Sequence, residues 1–312
     1  MLFRSAALLA ALATMSHAQE MVPATLAGHV VIPANTMSAP PADAPRAMWI
    51  SGKFTGDARN AQPMSDMRPS GLALPFLGQP FQGISGYAAE RTPQGDLVAL
   101  IDNGFGSKRN SPDAMLGYTI LRPDFEAGSV EIVERIWLHD PDRVVPFVIV
   151  NEASDSRYLT GGDFDLESIQ VVGNQLWIGE EFGPYLIRAT LDGRVTGVFP
   201  TVLDGAELRS PDHPALRIPA VAGTDFTVPR SGGYEGMALG ADGTLWAMLE
   251  KPLIAESGES EGDFLRAIAF DPAAGDWTGE SFKFALTDGA VAIGDFNFID
   301  ETRALVIERD GG

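Results

Sequence analysis

The chain of 312 residues has no cysteine, which excludes both a disulfide framework and a thiolate site. Histidine is also scarce: beyond the first 18 residues the sequence holds only His29, His139 and His213, in unrelated contexts. No His-x-x-x-His pair and no Arg-His-Gly run occurs. These absences disfavour a zinc site and a histidine acid phosphatase.

Basic residues are few, with 22 lysines and arginines against 42 aspartates and glutamates, and the formal net charge is −20. Such a charge repels nucleic acid and anionic membrane surfaces and attracts cations. The acids are spread through a chain that is 45% hydrophobic, as is typical of a globular protein. We therefore expect no nucleic-acid partner and a divalent cation among the ligands.

Beyond the N-terminus, no uninterrupted apolar run reaches the ~18 residues of a membrane-spanning helix. The N-terminus combines Arg4, a short apolar stretch over residues 6–13 and Ser16-His17-Ala18, the pattern of a cleaved secretory signal peptide. An ordinary buried helix is the alternative for this segment. We expect residues 1–18 to be a signal peptide and residues 19–312 a single domain without a transmembrane anchor. The protein is then periplasmic or secreted.

Glycine (34) and proline (22) are plentiful, and long stretches with a period of 3.6 residues are hard to find. Short runs of Val, Ile, Leu and Trp recur between turn signals such as Asp192-Gly193 and Asp242-Gly243. The sequence therefore predicts an all-β fold.

One pattern occurs four times: a polar residue, a turn, and a leucine-led strand that ends in a carboxylate five residues after the leucine. The polar position is Ser85, Glu167, Glu235 or Asn297, and the closing carboxylate is Asp102, Glu181, Glu250 or Asp310. Strand pairs repeated at wide spacing predict a β-propeller-like fold with long irregular loops between blades. In such a fold the closing carboxylates ring one end of a central channel. The alternative is that each carboxylate only caps a turn.

Four pairs of motifs resemble a known family. They are GISGYA (83–88) with DNGFG (102–106), DFDLESI (163–169) with GEEFGPYL (179–186), GGYEGMAL (232–239) with LWAMLEKPL (245–253), and DFNFID (295–300) with LVIERD (305–310). Together they resemble the phytase-like family described as "esterase-like activity of phytase", over roughly residues 80–312. The resemblance implies a β-propeller-like domain in exported bacterial proteins with a hydrolytic activity. The chain departs from the pattern at Asn297, where an acid is expected. It also ends just after a strand, so we expect the last blade to be incomplete.

The acidic motifs offer oxygen donors, which suit Ca²⁺ or Mg²⁺. We predict Ca²⁺ as the cofactor, with ligands drawn from Asp102, Asn103, Glu167, Glu181, Glu235, Glu250 and Asp310. Basic residues follow the acids closely, and a metal flanked by them suits binding of a phosphate ester and activation of water. The predicted catalytic residues are Glu180, Glu181, Lys251 and Arg309. The alternative is that the basic residues only neutralise neighbouring acids in surface ion pairs.

Two functions remain open at this point. The first is an exported hydrolase that acts on a small-molecule ester or phosphate with a carboxylate-bound divalent metal. The second is a non-catalytic Ca²⁺-binding propeller that serves as a periplasmic or surface binding module. Ser85 does not decide between them, because Tyr87 replaces the final glycine of a Gly-x-Ser-x-Gly elbow. We expect a monomer in either case.

Overall fold

The computed structural model describes residues 25–60, 72–102, 104–215 and 226–311. The predicted signal peptide (residues 1–18) and the predicted ligand Asn103 lie outside the described residues. Within these ranges the chain forms 22 β-strands and one short 3-10 helix. No helix in these ranges has the length and apolar character needed to cross a membrane. The predicted all-β class is confirmed.

The N-terminal part, up to residue 80, consists of short strands and the single helical turn η1 (Arg46–Trp49). The strands are β1 (Met37–Ser38), β2 (Ile50–Ser51), β3 (Phe54–Thr55), β4 (Ala58–Arg59), β5 (Phe76–Leu77) and β6 (Gln79–Pro80). Strand β1 pairs with β6, β2 with β5 and β3 with β4. Met48 packs with Trp137 and Tyr158 in one apolar cluster, which fixes this part to the main body.

The main body contains three four-stranded antiparallel sheets and two two-stranded ones, each formed by strands consecutive in sequence. We number the three four-stranded sheets and the last two-stranded sheet blades 1 to 4. Blade 1 contains β7 (Ile84–Tyr87), β8 (Leu97–Ile101), β9 (Gly117–Asp124) and β10 (Ser129–Trp137). Blade 2 contains β11 (Leu166–Val172), β12 (Gln175–Glu180), β13 (Tyr185–Thr190) and β14 (Val195–Pro200), followed by the hairpin β15 (Val202–Leu203) and β16 (Ala206–Glu207). Blade 3 contains β17 (Tyr234–Leu239), β18 (Leu245–Leu249), β19 (Phe264–Asp271) and β20 (Asp276–Ala285), and blade 4 contains β21 (Ala292–Phe298) and β22 (Ala304–Arg309).

The first strands of the four blades surround a common axis. Strand β7 contacts β11, β11 contacts β17, β17 contacts β21, and β21 contacts β7. Long connections separate some of the blades, including residues 138–165 between β10 and β11. The arrangement is therefore β-propeller-like with irregular loops between blades, as predicted.

Apolar side chains fill the spaces between successive blades. Neighbouring residues of a strand point to opposite faces of its sheet. Ile178 accordingly packs in the cluster that blade 2 shares with blade 1, whereas Trp177 packs in the cluster it shares with blade 3. The fully buried Trp177 ring lies 5.1 Å from the Phe270 ring, between centroids. Truncating such a side chain to alanine typically costs about 3–5 kcal/mol, so this packing holds adjacent blades together.

Each innermost strand contains a β-bulge at the same place in its blade. The pairing shifts between Ile84 and Gly86, between Leu166 and Ser168, between Tyr234 and Gly236, and between Ile293 and Asp295. The residues skipped are Ser85, Glu167, Glu235 and Gly294. A bulge redirects the side chain of the extra residue. The bulges therefore mark one equivalent position per blade, close to the axis.

The bulges correct the predicted register of blade 4. The equivalent of Glu235 is Gly294, whereas Asn297 lies three residues further along β21. The closing residue at the end of the second strand is corrected as well. Ala292 lies two residues before the bulge residue Gly294 and pairs with Arg309, so Arg309 is the closing residue of blade 4. The prediction counted from Leu305, but Ala304 is the residue that corresponds to Leu245. Asp102, Glu181 and Glu250 are therefore equivalent, and the fourth member is Arg309 rather than Asp310.

Candidate functional site

A cavity of about 410 Å³ lies at the end of the axis where the bulges occur. Its walls carry acidic, basic and hydroxyl side chains together with the apolar side chains of Ile84 and Phe182. The lining residues that carry charge are Asp102, Asp165, Glu167, Glu181, Asp212, Arg230, Glu235, Glu250 and Arg309. Ser85, Ser107 and Ser231 also line it. The predicted convergence of acids from several blades is thus present in the structure.

The first carboxylate group consists of Asp102, Asp165 and Glu167, and one oxygen from each lies within 4.8 Å of the others. Asp102 directly follows β8, and its backbone N–H donates to the carbonyl oxygen of Gly83 at 3.0 Å. Asp165 lies directly before β11, and Glu167 is the bulge residue of that strand. The group therefore joins blade 1 to blade 2.

The second carboxylate group consists of Glu181, Glu235 and Glu250, whose oxygens meet the same 4.8 Å limit. The backbone N–H of Glu181 donates to the carbonyl oxygen of Asp165 at 2.9 Å, and that of Glu250 donates to Gly233 at 2.7 Å. Each of these hydrogen bonds is equivalent to the one from Asp102 to Gly83, because in every case the acceptor lies two residues before a bulge residue. The second group joins blade 2 to blade 3 by the same construction.

Two basic side chains contact the second group. The Arg309 guanidinium pairs with Glu250, lies 3.5 Å from Glu235, and donates from Nε to the carbonyl oxygen of Ile293 at 3.0 Å. The Lys251 ammonium lies 2.9 Å from Glu250 and donates to the carbonyl oxygens of Ser231 and Arg230. In the part of the chain that the structure describes, neither Asp165 nor Glu167 forms an ion pair with a basic residue. The two groups therefore differ in charge compensation.

Burial and mutual repulsion raise the pKa values of the carboxyl groups in the cluster. Burial, followed by the charge of neighbouring carboxylates, raises the pKa of Asp165, of Glu167 and of Glu181 well above the usual values. Burial also raises the pKa of Glu235 to about 7, although Arg309 and Lys251 oppose the shift. The cluster is thus an electrostatically unfavourable arrangement that an additional positive charge would relieve.

Two buried oxygens of the cluster, Glu181 Oε1 and Glu250 Oε2, accept no hydrogen bond among the described residues, although Glu250 Oε2 lies 2.9 Å from the Lys251 ammonium. Glu181 is only 4% exposed and lines the cavity. Apart from burial, the neighbour that raises the pKa of Glu181 most is Asp165, a member of the first group. Glu181 therefore belongs to the second group by position, interacts electrostatically with the first, and carries a buried acceptor without a hydrogen bond among the described residues.

Glu180 occupies a different environment from its neighbour Glu181. Its carboxylate is fully buried and accepts hydrogen bonds from the backbone N–H groups of Phe182, Gly183 and Tyr185 at 2.7–2.8 Å. Burial raises the pKa of Glu180 to about 7, and these bonds oppose the shift. Glu180 does not line the cavity. The structure thus places this predicted catalytic residue at the end of β12, where its carboxylate binds the backbone of the following turn rather than the cavity.

The other predicted residues fall into three sets. Asp102, Glu167, Glu181, Glu235, Glu250 and Arg309 line the cavity. Lys251 reaches it only through its contact with Glu250. Asp310 is exposed and is not among the lining residues. The ring therefore contains three of its four predicted closing carboxylates.

Asp165 is the acid that sequence reasoning missed. A usable signal was present, because Asp165 lies two residues before Glu167, and residues two apart in an extended chain share a face. Arg230 and Asp212 were missed as well; they pair with each other at the cavity wall. Both lie in the connection between β16 and β17, outside the repeated motifs, and gave no comparable signal.

The family model for phytase-like proteins, described as "esterase-like activity of phytase", matches residues 79–312. The chain belongs to this family. The match covers all four blades and therefore every residue of the cavity. A comparison with curated proteins gave no match.

Solved structures resemble the phytase-like chain only distantly. A candidate 6-phosphogluconolactonase from Bacteroides uniformis is 12% identical, with a TM-score of 0.31; the match covers 84% of this chain and 64% of that chain. The β-propeller domain of Cps50 (Swd1) from Myceliophteria thermophila is 12% identical, with a TM-score of 0.25; the match covers 75% of this chain and 84% of that one. At these scores, the description of the fold rests on the strands and their contacts.

Proposed function

We propose that the protein is an exported, metal-dependent hydrolase that acts on phosphate or other esters. The observation that carries the proposal is the convergence of six carboxylates from three blades around one cavity, with a buried and unpartnered Glu181 oxygen among them. The family to which the chain belongs is described by an esterase-like activity, which supports a hydrolytic reaction.

The donor set fits a hard divalent cation. Ca²⁺ takes six to eight oxygen ligands, mainly from carboxylates, carbonyls and water, and it tolerates irregular geometry. Asp102, Asp165 and Glu167 would hold it, with Glu181 at the border of the site. When bound, the cation would lower the repulsion among these acids and act as a Lewis acid toward an ester oxygen.

The remaining side chains suggest how an ester would be bound and cleaved. Arg309 and Arg230 line the same cavity as the acids and can hold an anionic oxygen of the substrate. Three serines line it too, but none of the histidines in the described ranges does. A serine nucleophile with a histidine base is therefore not available there. We propose direct attack by water, in which the ester bond breaks and the alcohol leaves.

The location of the protein follows from its N-terminus in this proposal. The pattern of Arg4, an apolar stretch and Ser16-His17-Ala18 predicts export to the periplasm or the exterior. N-terminal sequencing of protein recovered outside the cytoplasm should then begin at or near Gln19. An intact Met1 on that material would contradict export without affecting the reaction.

The proposed reaction is tested by release of product from p-nitrophenyl phosphate and from a p-nitrophenyl carboxylic ester. Each assay is run in EDTA, after addition of Ca²⁺, and after addition of Mg²⁺ or Mn²⁺. We expect hydrolysis that depends on the cation and is lost in Asp165→Asn. The matched control is Glu131→Gln, an exposed acid on β10 that pairs with Arg122; it should hydrolyse the ester like the wild type. Undiminished hydrolysis in EDTA would remove the metal from the mechanism.

The second candidate function is a non-catalytic Ca²⁺-binding module of the periplasm or cell surface. The same carboxylate groups support it, because a cation bound between blades 1 and 2 would stabilise the propeller without any chemistry. Ca²⁺ binding without product release from either ester class would favour this function over the hydrolase.

A further inference from the structure

Arg309 stands at the one blade position where the pattern of acids is broken. In blades 1 to 3, the residue after the second strand is Asp102, Glu181 or Glu250, and each lines the cavity. Blade 4 presents Arg309 at the equivalent place, paired with Ala292, which lies two residues before the bulge residue Gly294. A cationic side chain therefore replaces a carboxylate in an otherwise repeated ring.

The guanidinium lies where a metal ion would neutralise the second group. Arg309 contacts Glu250 and lies 3.5 Å from Glu235, two of the three acids in that group. The guanidinium is planar and matches the geometry of a carboxylate. It stays charged at all ordinary pH values, so a rise in pH does not remove its positive charge. Lys251 adds a further contact to Glu250. The second group thus already holds positive charge from the chain itself.

The first group differs from the second in its contacts with basic residues. Asp165 and Glu167 lie within 4.8 Å of a third carboxylate, Asp102, and form no ion pair with a basic residue in the described ranges. The two groups thus share their construction but differ in the positive charge that contacts Asp165 and Glu167 on one side and Glu235 and Glu250 on the other.

We infer that Arg309 acts as a built-in cation that closes the Glu181–Glu235–Glu250 group to a divalent metal. The wild-type cavity then takes one divalent cation, at Asp102, Asp165 and Glu167. This inference rests on the metal site of the proposed function, but it concerns the number of cations and the residue that sets it.

The test is the stoichiometry of Ca²⁺ binding, measured by isothermal titration calorimetry on metal-stripped protein. We expect one Ca²⁺ per chain in the wild type and two in Arg309→Gln, because the substitution removes the internal cation and leaves a carbonyl oxygen in its place. The double variant Arg309→Gln/Glu235→Gln should return to one Ca²⁺. The matched control Arg303→Gln, an exposed arginine of the same hairpin that pairs with Asp300, should keep one.

The outcomes separate this inference from the proposed function. Two Ca²⁺ ions in the wild type, or one in both the wild type and Arg309→Gln, would overturn the inference and leave the metal site standing. No Ca²⁺, Mg²⁺ or Mn²⁺ binding by the wild type would overturn the metal site itself, and the inference with it. If Arg309→Gln does not fold, Arg309→Lys provides the second variant: it keeps the charge, so it should stay at one Ca²⁺, and two would contradict the inference.

Discussion

The two carboxylate groups of the cavity are built alike but are compensated differently. Each joins the end of one blade's second strand to the bulge residue of the next blade. The Asp102–Asp165–Glu167 group has no cation paired with Asp165 or Glu167 among the described residues, whereas Arg309 and Lys251 contact the Glu181–Glu235–Glu250 group. The comparison teaches that a repeated scaffold sets where acids converge, and that a single non-repeated residue decides what they can bind.

The largest expected effect is on the pH dependence of stability without metal. Glu235 has a pKa raised to about 7, and those of Asp165, Glu167 and Glu181 are raised as well. Carboxyls with raised pKa values stabilise the folded state fully below their unfolded pKa and lose that contribution as pH rises through the folded pKa. In EDTA, unfolding free energy should fall by about 3 kcal/mol between pH 5 and 8, at about 1.4 kcal/mol per pKa unit.

Urea denaturation at several pH values measures this loss, and two variants sharpen the comparison. Asp165→Asn should flatten the profile more than Glu250→Gln, because Glu250 already has cationic partners. A profile that rises with pH in EDTA would contradict the assignment of unrelieved repulsion to the first group.

The next effect is on stabilisation by Ca²⁺. A ligand that binds only the folded state adds about 2.7 kcal/mol at a concentration one hundred times Kd. Asp165→Asn should abolish most of this gain, because it removes a member of the first group, whereas Glu235→Gln should retain most of it. Thermal unfolding in EDTA and in millimolar Ca²⁺ measures both, with Glu131→Gln as the control. If Asp165→Asn and Glu235→Gln lost the same share of the Ca²⁺-dependent stabilisation, the two carboxylate groups would not differ in metal binding.

A smaller effect tests the difference between Glu180 and Glu181. Glu180→Gln should destabilise the protein by about 2 kcal/mol, since three backbone N–H groups lose a carboxylate acceptor. The Ca²⁺-dependent gain in stability should be unchanged, because Glu180 does not line the cavity. Chemical denaturation with and without Ca²⁺ separates the two readouts. Loss of the Ca²⁺ response in this variant would place Glu180 in the metal site.

The smallest effect concerns the internal cation. Arg309→Gln should lower the free energy of unfolding in EDTA by about 1 kcal/mol, because it removes a cationic partner of Glu235 and Glu250. The value is modest since the Arg309 side chain is 47% exposed. Addition of Ca²⁺ should shrink the difference from wild type. Denaturation midpoints in both conditions measure it, and a deficit that grows in Ca²⁺ would argue against replacement of the guanidinium by the metal.

Much of this arrangement could be predicted from the sequence. Turn signals and short apolar runs indicated the all-β class, and the fixed offset from leucine to carboxylate brought Asp102, Glu181 and Glu250 to one place. The offset works because the strands of blades 1 to 3 have nearly the same length before the turn. It failed in blade 4, where Leu305 is one residue past the equivalent position and the pattern selected Asp310 instead of Arg309.

Other features could not be read from spacing alone. The bulges that aim Glu167 and Glu235 at the axis depend on pairing register, which the sequence does not display. Glu180 and Glu181 look alike in the chain, and only the turn geometry after β12 assigns one to the backbone and the other to the cavity. Arg230 reaches the site from a loop outside the repeat.

The most direct test of the account is the position of a bound cation in crystals soaked with Mn²⁺, a divalent substitute for Ca²⁺ that is visible by anomalous scattering. The account predicts one anomalous peak, contacted by Asp102, Asp165 and Glu167, with Arg309 still paired with Glu250. A peak within the Glu181–Glu235–Glu250 group, with Arg309 displaced and the first group empty, would contradict it.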